Sequence, residues 1–93
     1  MADKFIKDPD AVLDYQWDWE SWLNGDTITE AALSVSPSGE MAVDSTVTAD
    51  STVTGWLSGG EVGTEYTVTC HVTAANDPAR EDDRSIIISI KER

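Results

Sequence analysis

LSGGEVGTEYTVTCHVTA, residues 57–74, holds a corner followed by a strand. Glycines at 59, 60 and 63 bracket Glu61 and Val62, and Gly is the residue that lets a backbone turn sharply through positive φ. After the corner, Tyr66, Val68, Cys70, Val72 and Ala74 alternate with Thr67, Thr69, His71 and Thr73. Successive strand side chains point to opposite faces, so this is a half-buried strand with Tyr66, Val68 and Cys70 in the core and His71 on the polar side. One apolar face needs a partner layer, and the rest of the chain has to supply it.

Upstream, DYQWDWESWLNGD opens at Asp14. Leu13, Tyr15, Trp17 and Trp19 share one parity, while Asp14, Gln16, Asp18 and Glu20 share the other. The pattern predicts a strand that buries Tyr15, Trp17 and Trp19. Trp22 breaks the period just before Asn24-Gly25, a pair suited to a tight turn. A strand over 27–36 changes phase near Glu30 and Ala31, which predicts a bulge. Met41, Val43 and Val47 alternate in the next strand. The near-duplicates DSTVTA and DSTVTG, starting at Asp44 and Asp50, read as two strands joined around Ala49 and Asp50. The second points Val53 and Leu57 inward and Trp56 outward. After the loop ANDPAREDDR, Ser85–Lys91 closes the chain with Ile86, Ile88 and Ile90 inward and Ile87 outward. Short strands separated by turn signals every eight to twelve residues predict an all-β sandwich. Its domain occupies 11–93, behind an extended N-terminal lead-in over 1–10 in which Pro9 holds Asp8 extended.

Ninety-three residues suffice for one domain that folds without disulfide or metal. No uninterrupted apolar run exceeds three residues, well short of the roughly 20 needed for a membrane-spanning helix. MADKFIKDPD shows neither the apolar region nor the cleavage site of a secretory signal, so the expectation is synthesis in the cytoplasm. Eighteen acidic residues against six basic give a formal charge of −12, which disfavours nucleic acid and anionic membrane as partners. The single cysteine, Cys70, has no internal disulfide partner and reads as a buried thiol.

Catalytic and cofactor signals are absent from the pattern. His71, the one histidine, has no paired nucleophile in a recognisable motif. SGGEVG lacks the lysine and helix of a phosphate-binding loop, and no Cys/His set has zinc spacing. Glu81, Asp82 and Asp83 read as a solvated acidic loop rather than a calcium loop. No catalytic residue, metal ligand or cofactor site is therefore predicted. Trp22, Trp56 and Ile87 are left over from the core and stand as candidate interface residues.

Tyr66, just after a glycine corner, resembles the tyrosine corner of fibronectin-type and immunoglobulin-like sandwiches. The order DPDAVLDYQWDW, WLNGDTI, TVTGWLSGGEVGTEYTVTCHVTA and DDRSIIISIKER further resembles small immunoglobulin-like proteins of tailed bacteriophages, and more narrowly phage fibre-tail adaptor proteins. Asp8, Pro9, Asp10, Leu13, Tyr15, Trp19, Trp22, Gly25, Asp26, Trp56, Gly60, Gly63, Thr64 and Tyr66 carry the likeness. The resemblance implies an immunoglobulin-like sandwich of about seven antiparallel strands and a non-enzymatic virion component. It also implies symmetric copies of the chain, made in the host cytoplasm, that join tail or neck proteins to fibres. The alternative expectation is a carbohydrate-binding or capsid-decoration module, with Trp22 and Trp56 as stacking platforms for sugar.

Overall fold

A computed structural model describes residues 3–37, 39–76 and 78–92. Seven strands and one helical turn follow in the order β1 (Asp3–Lys7), β2 (Val12–Asp18), α1 (Glu20–Leu23), β3 (Ile28–Ser36), β4 (Met41–Thr48), β5 (Thr52–Gly59), β6 (Glu65–Ala74) and β7 (Glu81–Ile90). They form a β-sandwich of two sheets, β1-β7-β6-β3 and β2-β5-β4.

Central strands carry the core because both of their edges are paired and one face is covered. Along β6 buried and half-exposed residues alternate without a break, with Val68, Cys70 and Val72 fully buried. From β7, Ile86, Ile88 and Ile90 meet Val53 and Leu57 of β5 and Trp17 and Trp19 in one apolar cluster. Burying an aliphatic side chain of this size stabilises by about 1.5–3 kcal/mol. Tyr15 is half-buried at the margin of the cluster. Gly55 of β5 marks a close approach of the two sheets, since a Cβ there would fall 2.3 Å from Leu33 Cδ1 of β3.

The corner before β6 closes as its sequence suggests: the Glu61 backbone N–H donates to Tyr66 Oη at 3.0 Å. A bulge lies between Ile28 and Glu30 of β3, close to the phase change in the sequence.

Four details differ from the sequence reading. Part of the stretch read as a lead-in, Asp3–Lys7, is a strand that pairs with β7 in parallel, so not every pairing is antiparallel; residues 1 and 2 of that stretch lie outside the described residues. Glu81–Arg84, read as loop, extend β7, where they pair with Cys70–Thr73 and complete the β6 ladder. Glu20–Leu23 form a helical turn whose Asn24 cap takes left-handed φ of 48°. A second bulge, between Val43 and Ser45, shifts β4 so that Val47 pairs with Thr54 and stands 52% exposed instead of facing the core.

Candidate interaction surface

The tryptophan-rich stretch ends in a clamp. Trp19 is fully buried, and Trp22 packs against it edge-on, ring centroids 5.3 Å apart at 69°. Arg80 lies over the Trp22 ring at 4.7 Å and donates to the Trp22 and Leu23 carbonyls at 3.0 and 2.8 Å. These carbonyls close the C-terminal end of the turn, where Leu23 also accepts from the Asp26 backbone N–H at 3.1 Å, and the guanidinium serves as an added cap. Arg84 repeats the arrangement 4.3 Å over Trp19, donating to the Asp18 carbonyl at 2.8 Å. Cation–π contact and fixed hydrogen bonds thus join α1 to the start of β7. Asp26 completes this end by accepting from the backbone N–H groups of Thr27 and Asn76.

Trp56 occupies different ground. It stands half-exposed on the outer face of β2-β5-β4, paired laterally with Asp14 and Ser45. Ile87 stands on the outer face of the other sheet, between Lys4 and Thr67. The three candidate interface residues do not converge: Trp22 is held at the α1 end, and Trp56 and Ile87 point away from opposite sheets. Parity along a strand told which residues leave the core, but not which outer surface receives them.

The outer face of β1-β7-β6-β3 is tied together by polar pairs. Lys4 bridges Glu65 at 2.6 Å, Ser89 Oγ donates to the same carboxylate at 2.9 Å, and Thr69 and Ser85 hydroxyls meet at 2.8 Å. His71 is bracketed by Glu81 on Nε2, 2.9 Å away, and by Asp83 on Nδ1. Those two hydrogen bonds, Glu81's first, raise the imidazole pKa above its ordinary value of 6.5. The carboxylates sit on opposite ring nitrogens, so they stabilise an imidazolium and do not converge on one ion. Sequence spacing could not reveal this cluster, because it depends on the β6–β7 register. Among the described residues, no group of three or more His, Cys, Asp or Glu is placed to hold a metal ion. No described helix is long and apolar enough to cross a membrane. Burial pushes the Cys70 thiol up to about 11, leaving it protonated near neutrality.

A further surface escaped the sequence reading. Phe5, Ile6, Val12 and Leu13 are 38%, 46%, 60% and 38% exposed, on the strands β1 and β2 that border the same side of the sandwich. Phe5 reaches Tyr15 across that side, ring centroids 5.1 Å apart. Lys7 anchors its end, fully buried, with Nζ donating to the carbonyls of Asp8 and Gly59 at 2.9 and 2.7 Å. Desolvation lowers the Lys7 pKa, and the charges of Asp8, Asp10 and Asp44 offset part of that effect. The available signal was Val12, an apolar residue on the parity otherwise occupied by Asp14, Gln16 and Asp18.

This geometry offers sheet faces, strand edges and an acidic surface for contact. A family model described as Podophage GP4 fiber-tail adaptor protein gp77 matches residues 7–89, from the end of β1 almost to the end of β7. No curated protein matches the chain.

Proposed function

The chain belongs to the podophage fibre-tail adaptor family, and from that premise we propose that it is a non-enzymatic virion protein joining tail or neck components to fibres by protein–protein contacts. The observation that carries this reading is the extent of the family match, which takes in nearly all of the sandwich. Within it the chain works through surface rather than chemistry. Its formal charge of −12 favours basic patches on other virion proteins and opposes nucleic acid and anionic membrane. The proposal includes synthesis in the host cytoplasm and incorporation as a symmetric set of copies. Trp56 and Ile87, on opposite outer faces, would then contact different neighbours, whereas Trp22 holds the α1 turn in place.

The test is removal of the gene from the virus and inspection of the particles. The expected result is tails that lack fibres, regain them when the purified chain is added, and contain the chain by mass spectrometry. Fully fibred particles without the chain would overturn the reading.

A further inference from the structure

Each sheet of the sandwich has two edges, and three of the four carry devices that discourage pairing. Exposed edges invite another strand, and proteins blunt them with bulges, lysines or short length. Strand β3 is bulged between Ile28 and Glu30, and β4 between Val43 and Ser45. Strand β1 is five residues long and carries Lys4 and Lys7. Strand β2 has none of these. It pairs with β5 through seven consecutive residues without a register shift, contains neither lysine nor proline, and has no strand on its other side among the described residues.

Its chemistry is equally distinct. From Asp8 to Asp26 the chain has six acidic residues and no basic one. Asp14 and Asp18 point from the same face of β2, about 13 Å apart at ~3.3 Å per residue, with exposed Val12 on that face and exposed Leu13 on the other. Two such edges repel each other, which opposes pairing between copies. A strand bearing lysine or arginine at alternate positions meets no such repulsion. Its main chain would take up the open edge of β2, its cations would face Asp14 and Asp18, and its apolar residues, on the opposite face, would cover Leu13.

We infer that β2 is a docking edge, and that its occupant is an extended basic–apolar segment of another virion protein, added to β2-β5-β4 as a fourth strand. The inference rests on the adaptor reading and gives it a surface and a mode of contact.

The test is amide hydrogen exchange of the full chain with a capped decapeptide of alternating lysine and valine, compared with the same peptide carrying glutamate for lysine. The expected result is exchange slowed at least tenfold within residues 12–18 by the basic peptide alone. That protection should disappear in Asp14→Lys combined with Gln16→Lys, both exposed positions, and persist in Glu30→Lys on the bulged edge of β3. Protection centred on another strand, or spread evenly over the acidic surface, would overturn the inference. Particle assembly separates the two readings. Particles that take up the double variant and bear fibres as the wild type does would keep the adaptor and remove the edge. A wild-type chain absent from particles would remove the adaptor reading and the inference with it.

Discussion

Strands β4 and β6 are built from nearly the same letters and end in opposite environments. STVT at 45–48 and YTVT at 66–69 share three residues in the same alternation. Val68 is fully buried, but Val47 is 52% exposed. Strand β6 lies in the middle of its sheet and turns its apolar face to the core shared with Val53 and Leu57 of the other sheet, where it is buried along its whole length. Only Met41 of β4 is buried. The bulge between Val43 and Ser45 then turns Val47 to the outside. Alternation shows that a strand has two faces; its position in the sheet and its register decide what each face meets.

The contrast can be broken by substitution, and the largest effect is expected in the core that β6 shares with the tryptophan-rich stretch. Trp19→Ala should cost about 3–5 kcal/mol in chemical denaturation, since it empties a fully buried site and removes the ring beneath Arg84. A loss below about 1 kcal/mol would mean that the sandwich does not depend on that ring. Val68→Ala should follow at about 2–3 kcal/mol, with Val47→Ala staying within about 0.5 kcal/mol. Equal losses would contradict the placement of β4. Tyr66→Phe removes only the hydroxyl that receives the Glu61 N–H and should cost about 0.5–1.5 kcal/mol.

The smallest expected effect concerns the exposed end of the β6–β7 ladder. His71 has its pKa raised in the folded chain, so its contribution is complete below the ordinary value of 6.5 and is lost as pH rises through the folded value. The melting midpoint of the wild type should therefore fall slightly relative to His71→Gln as pH increases across about 5 to 8. Parallel curves for the two proteins would show that the bracketing carboxylates add nothing to stability.

How far the sequence revealed these features depends on the range of the interaction. The corner at Gly59–Tyr66 and the alternation of β6 are local, and both were legible. The burial of Trp17 and Trp19 followed from parity along one strand. The phase shift of β4 was hidden because Asp44 and Ser45 sit inside a near-repeat that reads as unbroken strand. Pairing between distant segments was hidden as well. Nothing near His71 announces Glu81 and Asp83, and nothing near Trp22 announces Arg80. Lys7 is the extreme case, a charged side chain in the opening segment whose buried place depends on a carbonyl 52 residues away.

The parallel pairing of β1 with β7 bears on mechanics. Its register runs from Asp3 opposite Ile86 to Lys7 opposite Ile90. Traction applied before Asp3 and beyond Ile90 draws the two strands along their own axes in opposite directions. All five rungs then share the load and must yield nearly together, whereas a hairpin pulled at its open end parts one rung at a time. Force between segments flanking this domain thus meets it in shear, the geometry in which a short ladder of hydrogen bonds resists longest.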